Sequence, residues 1–352
     1  MGFDSLSREY SSVSRREFEG AACNRESCGC ATCPVRDICA GPNKRCDARN
    51  CDRDCSTCLA VCNRHDRREE IVGEIGGPLF DHVGWEPFDI GVPPRVLFQL
   101  NTPLKEDTAA RGFVVNVRRL FYGDPGKGGS LNWSPRKALR ARFRIPPDSP
   151  LGISFCAPDP VVNYLGIDLE ETAAEVSRFK ADFSFAVNFS IYDNYPSFDA
   201  IMNLKKRFIS LERLQERGVK VVPDVGWQNY RDRDRVVSWL RSNGVRYAVK
   251  NFQTVSVSAG TRNWVSMVED LSYLRSKCPD LHLFLVGCSS RKRMRSILRG
   301  VGGPMSFVDA KAQRLAEFHK DVLGNEDRSV SVGRLFERNV ELVTSWLGGA
   351  HG

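Results

Sequence analysis

The sequence predicts an α/β protein: a closed or partly open β/α barrel preceded by a cysteine-rich metal-binding module. Two patterns carry this prediction. From about residue 111 onward, short apolar runs alternate with amphipathic stretches, and glycines follow several of these stretches. Ten of the 13 cysteines lie between Cys23 and Cys62, in a segment with few apolar residues.

The apolar runs are typical of buried parallel strands. They span residues 112–117, 152–156, 183–189, 220–223, 247–250, 282–287 and 305–308. Helical patterns lie between them, at 169–179, 197–215, 233–242, 264–277 and 291–298. At least five strand–helix units follow residue 150, which favours a TIM-type barrel over a three-layer sandwich without deciding between them.

The composition divides the chain into five parts. We predict a flexible arm (1–22), the cysteine-rich module (23–66), a Gly/Pro-rich linker (67–110), the barrel-like domain (111–322) and a C-terminal helix with its tail (323–352). The last helical stretch, 332–347, is predicted to cap the barrel.

The cysteine-rich module is too poor in apolar residues to fold by burying a core, so a cross-link must hold it. The first twenty residues are polar and lack the apolar segment of a secretory signal. The sequence contains no run of about 18 apolar residues, so no membrane-spanning helix is predicted. We therefore expect a cytoplasmic protein without membrane contact, whose thiols bind metal, although disulfides and free thiols remain open.

The metal prediction is for one or two sites that hold either zinc or a [4Fe–4S] cluster, since thiolates bind both. The predicted ligands are Cys23, Cys28, Cys30, Cys33, Cys39, Cys46, Cys51, Cys55, Cys58 and Cys62. The run from Cys30 to Cys39, with C-x2-C-P-V-R-x2-C, resembles the core of WhiB-like iron–sulfur proteins. The spacing of Cys51, Cys55 and Cys58 is that of the radical S-adenosylmethionine motif. The alternative is a purely structural metal knot.

Basic residues are concentrated outside this module, and the whole chain has a net charge of +8. Between Arg111 and Arg144, nine basic residues face one acid, and aromatic residues lie among them. Such a surface suits phosphates and unpaired bases, whereas the alternative is a solvated basic face. The predicted nucleic-acid contacts are Arg118, Arg119, Lys127, Arg136, Lys137, Arg140, Lys292 and Arg293.

Polar residues follow several predicted strands, and active sites of barrels lie at that end. Three acids, Asp193, Asp224 and Asp309, are the candidates for acid, base or nucleophile. Side chains that could contact the substrate are Tyr192, Trp227, Lys250, Asn251 and Arg291. Each of these residues could instead be a helix cap or a turn former.

Residues 182–227 carry F-S-I-Y-D-N-Y-P, a helix and then G-V-K-V-V-P-D-V-G-W. This segment resembles a family of phage and bacterial proteins known only as a domain of unknown function, and the resemblance extends over about 150–290. It implies a fold and no settled activity. If the chain is phage-encoded, the host cytoplasm is its expected location.

The order of strands and helices from Val221 to Asp309 also resembles the barrel of tRNA-guanine transglycosylases and their phage DNA-modifying relatives. That resemblance implies base exchange, with Asp309 as the nucleophile at the sugar and Asp193 as a base. The C-x-C-x2-C spacing of that family occurs here at Cys28, Cys30 and Cys33, at the other end of the chain.

Three hypotheses follow from the sequence. The first is an enzyme that modifies a base of DNA or RNA at the barrel rim. The second is a non-catalytic, metal-dependent nucleic-acid-binding protein. The third is an iron–sulfur redox or radical enzyme. The oligomeric state is not predicted.

Overall fold

A computed structural model describes residues 80–123, 132–133, 138–191, 197–227, 230–252 and 262–348. The predicted arm and the cysteine-rich module therefore lie outside the described residues. So do the candidate site residues Tyr192, Asp193, Lys127, Arg136 and Lys137.

Eight parallel strands form the core of the described chain. They are β1 (Val96–Leu100), β2 (Phe113–Asn116), β5 (Leu151–Ser154), β6 (Phe183–Phe185), β7 (Val221–Val222), β8 (Tyr247–Asn251), β9 (His282–Val286) and β10 (Met305–Asp309). A small antiparallel hairpin, β3 (Phe121–Tyr122) and β4 (Asn132–Trp133), follows β2. The long strands are rich in Val, Leu and Phe, as expected where both faces of a sheet are covered.

The sheet curls into a nearly closed barrel, because β1 pairs with both β2 and β10. A bridge between Asp224 and Val249 joins the remaining edges. The strand registers can be extended once around the barrel, starting at Gln99 and passing Val114, Gly152 and Phe183. The path returns to the first strand segment at position 91, eight positions before its start. Eight strands with a shear of eight define a TIM-type β/α barrel. The predicted fold class is confirmed.

Helices cover the outside of the barrel. They are α1 (Leu139–Phe143), α2 (Asp159–Leu165), α3 (Leu169–Ser177), α4 (Ser197–Glu216), α5 (Tyr230–Ser242), α6 (Arg262–Lys277), α7 (Arg291–Gly300), α8 (Ala312–Glu317) and α9 (Val332–Gly348). Asp168 begins α3 as its N-cap, where the carboxylate accepts from the amide of Glu171 at 2.8 Å.

Alternation along the strands separates two apolar clusters. The interior cluster fills the barrel and includes Leu97, Val222, Val249 and Phe284. The outer cluster lies between the strands and the helices and includes Phe98 and Ile153. A strand residue's parity therefore decides whether it faces the interior or the helices.

The structure differs from the prediction at one boundary and in the position of one helix. The predicted linker, 67–110, contains β1, so the barrel begins at Val96. Segments rich in Gly and Pro on either side of β1 hid this strand in the composition. The predicted cap, α9, belongs to the outer helical layer, where Phe336 packs edge-on against Phe98 of β1.

The segment before β1 closes the N-terminal end of the barrel. Phe88 stacks on Tyr247 with ring centroids 5.7 Å apart, and Phe88 and Ile90 pack against the interior cluster. The Tyr247 hydroxyl donates to Asp89 Oδ1 at 2.7 Å. The barrel is thereby sealed at one end, and an interior site must open at the other.

Among the described residues, no helix is long and apolar enough to span a membrane.

Candidate active site at the barrel mouth

Asp224 is the charged centre of the mouth, by which we mean the C-terminal end of the barrel strands. It follows β7 two positions after Val222, an interior residue, so its side chain also turns inward. The residue is 2% exposed. Its Oδ1 accepts from Arg207 Nη1 at 2.8 Å, and no donor within the described chain reaches Oδ2. A buried carboxylate oxygen is thus left free inside the mouth.

Arg207 reaches this carboxylate from α4. Its Nε donates to the carbonyl oxygen of Phe189 and its Nη2 donates to Asn188 Oδ1, both at 2.8 Å. The guanidinium therefore joins α4, the segment after β6 and the segment after β7. Gly226 makes room for it, since a Cβ there would lie 2.6 Å from Arg207 Nη1.

The environment of Asp224 favours proton transfer. Burial raises the pKa of its carboxyl group above the ordinary range, while the charges of Arg207 and Lys250 oppose this rise. A buried carboxyl group with a raised pKa and an oxygen without a hydrogen-bond partner has the features of a general acid–base group.

Amide side chains surround Cys156 beside this acid. The Nδ2 atoms of Asn251 and Asn188 lie 3.4 and 3.9 Å from Cys156 Sγ, and Asn116 Nδ2 donates to the Cys156 carbonyl at 2.7 Å. Burial raises the pKa of the thiol to about 12. Burial of this kind makes a thiol a weak nucleophile, so burial and the surrounding amides favour a packing role for Cys156.

The register places four side chains in one layer of the interior. A layer is a ring of interior side chains at one height along the barrel axis. With a shear of eight over eight strands, residues at one height are offset by one position from each strand to the next, and only alternate strands direct a side chain into a given layer. The layer of Gln99 therefore also contains Ser154, Asp224 and Val286. Gln99 lies on the strand opposite Asp224. Sequence analysis missed it because β1 was assigned to a linker.

Trp227 and Lys250 lie together, but on the outer side of the barrel wall. Lys250 Nζ is 3.7 Å from the Trp227 ring centroid, and Trp227 Nε1 donates to Asp270 Oδ2 of α6 at 2.8 Å. Alternation from the interior residue Val249 also turns Lys250 outward. These contacts favour a structural role over the predicted substrate contact. Asn251, one position further, does face the mouth.

Asp309 is also placed outside the interior, because Val308 is the interior residue of this strand end. Its Oδ1 accepts from the amides of Lys311 and Ala312 at 2.9 and 2.6 Å. Burial raises the pKa of Asp309, and those two hydrogen bonds oppose the rise. These contacts place Oδ1 at the start of α8, whereas Oδ2 is buried without a hydrogen-bond partner among the described residues, so the role of nucleophile stays a prediction.

The predicted basic contacts divide between the two ends of the barrel. Arg118 and Arg119 follow β2, and Arg291 and Lys292 begin α7 after β9, so both groups lie at the mouth. Arg119, Arg291 and Lys292 are exposed. Arg293 packs over the Trp264 ring at 5.1 Å.

Arg140 lies at the other end of the barrel. Its guanidinium donates to the carbonyl oxygen of Ser149 at 2.8 Å and to Asp182 Oδ2 at 2.7 Å. It therefore joins α1 to the starts of β5 and β6, and these contacts favour a structural role over the predicted nucleic-acid contact.

No group of three or more His, Cys, Asp or Glu side chains that could hold a metal ion occurs in the described part of the chain. The ten cysteines of the predicted metal module lie outside that part.

No protein-family model and no curated protein match this chain. Among solved structures, it is similar to the putative copper homeostasis protein CutC from Streptococcus agalactiae. The two are 11% identical, the match covers 61% of this chain and 99% of CutC, and the TM-score is 0.37. A likeness at this level carries no functional argument.

Proposed function

We propose that this protein is an enzyme that modifies a base of a nucleic acid at the barrel mouth, with Asp224 as its general acid–base group. The observation that carries the proposal is the buried Oδ2 atom of Asp224, which has no donor within the described chain and lies inside the mouth. A buried acceptor without a partner is costly, and a ligand that carries an N–H or O–H group would satisfy it.

The charges of the mouth favour a neutral ligand in its interior. Asp224 and Arg207 neutralise each other as a buried ion pair, whose side chains are 1% and 7% exposed. A phosphate diester has acceptor oxygens and no donor, so it does not match the free Oδ2 atom. A nucleobase is neutral, flat and carries N–H donors, and it therefore suits this interior.

The rim supplies the complementary charge for a nucleic-acid backbone. Arg119 on one side, and Arg291 and Lys292 on the other, are exposed cations around the mouth. Tyr122, which is 59% exposed, follows Arg119 and offers a ring on which a neighbouring base can stack. Enzymes that act on a base in a stacked strand rotate that base out of the stack into a pocket, while the phosphates stay at the surface of the protein. The mouth and its rim match this arrangement.

Asp224 would act on the bound base by moving a proton. In its neutral form the carboxyl group donates a proton to a ring nitrogen or carbonyl oxygen of the base, and in its charged form it accepts one. Arg207 holds the carboxylate in place and stabilises its charged form. Base exchange, as in the transglycosylases that the sequence resembles, is one reaction that needs such a group.

The cysteine-rich module completes the proposal as a metal-bound element, with zinc or a [4Fe–4S] cluster in one or two sites. We expect it to stabilise the protein or to grip the nucleic acid.

Nucleoside analysis tests the proposal. Total RNA and DNA from cells that express the wild-type protein, Asp224→Asn or Asp280→Asn are digested and compared by liquid chromatography and mass spectrometry. Asp280 is an exposed acid at the closed end of the barrel and serves as the matched control. We expect a changed nucleoside with the wild type and Asp280→Asn, and none with Asp224→Asn. Identical profiles in all three, with the proteins folded and metal-loaded, would overturn the proposal.

A further inference from the structure

Gln99 is a buried amide that the proposed chemistry leaves unused. It is 8% exposed, and alternation from the interior residue Leu97 turns it into the barrel. Its Oε1 atom is fully buried and has no hydrogen-bond partner among the described residues. It stands in the layer of Asp224, on the opposite strand.

The neighbours of Gln99 in this layer do not satisfy its amide. Ser154 Oγ accepts from the amide of Cys156 at 3.2 Å, Val286 is apolar, and Asp224 Oδ1 is taken by Arg207. Leaving a buried amide oxygen unsatisfied costs about 1–3 kcal/mol. Leu or Met would fill the same volume without this cost. Two buried acceptors therefore lie on opposite strands of one layer, and neither has a donor from the described chain.

We propose that Gln99 reads the edge of the bound base and selects a base that carries an exocyclic amino group. This inference rests on the proposed function and names its substrate class. A Gln side chain presents an acceptor and a donor side by side. It therefore pairs with an edge that has an amino group next to a ring nitrogen.

Cytosine, adenine and guanine have such an edge, whereas uracil and thymine carry no exocyclic amino group. The base of uridine has a single N–H and therefore cannot donate to both unpartnered acceptors, Gln99 Oε1 and Asp224 Oδ2, whereas an amino group has two N–H bonds. Asp224 Oδ2, on the opposite wall, takes a second N–H from the same ligand. A site built to hydrogen-bond an amino group rejects the analogue that lacks it more strongly than an apolar pocket rejects a misfit.

Titration calorimetry with free nucleosides tests this inference. The wild-type protein, Gln99→Met and the control Gln215→Met are titrated with cytidine, adenosine, uridine and inorganic phosphate. Gln215 lies on the outer helix α4, where its amide contacts the backbone of Glu86. We expect the wild type and Gln215→Met to bind cytidine or adenosine at least tenfold more tightly than uridine, and Gln99→Met to lose this difference.

Equal affinity for uridine, retained selection in Gln99→Met, or no binding of any nucleoside at millimolar concentration would overturn the inference. If Gln99→Met does not fold, Gln99→Leu replaces it. Leu has a similar volume and removes the acceptor, so selection must again disappear. Selection that depends on Gln99, without any nucleoside change that depends on Asp224, would support this inference and contradict the proposed reaction. The reverse result would refute only the role of Gln99.

Discussion

The guanidinium of Arg207 and the carboxylate of Asp224 form a buried ion pair at the mouth of the barrel, with Nη1 2.8 Å from Oδ1. Arg207 comes from α4 and Asp224 from the end of β7, so the pair fixes a helix to the barrel wall. Arg207 also donates from Nη2 to Asn188 Oδ1 and from Nε to the carbonyl oxygen of Phe189. A pair in this setting stabilises the fold only while both partners are present.

Arg207→Met should therefore destabilise the protein by about 3–5 kcal/mol, because it leaves a buried carboxylate without its cation. The free energy of unfolding, measured by denaturant titration, checks this. Arg213→Met on the same helix is the control: Arg213 is about two-fifths exposed, and its loss should cost less than about 1 kcal/mol. Similar losses in the two variants would contradict the importance of the buried pair.

Gly226→Ala should displace Arg207, because the new Cβ would lie 2.6 Å from Nη1. We expect a loss of about 1–3 kcal/mol from this overpacking. Any activity that depends on Asp224 should fall with it. The matched control is Gly84→Ala, where a Cβ would meet nothing within 4 Å. Thermal unfolding of both variants measures the difference, and an unchanged midpoint for Gly226→Ala would argue against the close approach.

Much of the fold was predictable because it depends on the alternation of apolar runs with amphipathic stretches along the sequence. Seven of the eight strands coincide with apolar runs, since strands of a parallel barrel are buried on both faces. Strand β1 was missed because its five residues lie between segments rich in Gly and Pro. Asp224 was found because it follows a strong apolar run at the barrel's active end.

The assignment of individual roles needed side-chain direction, which depends on parity and register. Lys250 and Asp309 lie at the same end of the barrel as Asp224, yet one residue of offset along their strands turns both away from the interior. Arg207 carries no local signal, because a charged residue on a long amphipathic helix is usually on its solvated face. The position of Gln99 beside the site could not be predicted without the strand pairing around the whole barrel, because only that pairing places it in the layer of Asp224.

His282 should make the protein lose stability in mild acid. Burial lowers the pKa of its imidazole from 6.5 to about 4, and its Nε2 lies 2.8 Å from Ser306 Oγ. Between these two pH values the unfolded chain binds a proton at His282 and the folded chain does not. The free energy of unfolding is therefore highest above pH 6.5 and falls by about 3 kcal/mol in total as the pH falls toward 4.

Unfolding free energies measured between pH 7 and pH 4 check this, with His282→Gln for comparison. The variant should lose less stability over this interval than the wild type. Parallel curves for the two proteins would show that His282 does not contribute.

The cysteine-rich module should contain metal. Metal analysis and a visible spectrum of anaerobically purified protein decide between the alternatives. Stoichiometric zinc in a colourless protein would exclude the radical hypothesis, whereas a brown protein with iron would keep it. A metal-free protein whose thiols are paired as disulfides would contradict the module as predicted, together with the expected reducing compartment.

On the proposed function, a base enters the barrel mouth while its backbone stays on the basic rim. Ultraviolet cross-linking of the intact protein to a mixed-sequence single-stranded oligonucleotide, followed by peptide mapping, shows where the base binds. We predict base cross-links to peptides that contain Gln99, Cys156 or Asp224, and fewer of them when free cytidine competes. Cross-links confined to the closed end of the barrel or to the outer helices, with none at the mouth, would contradict the claim.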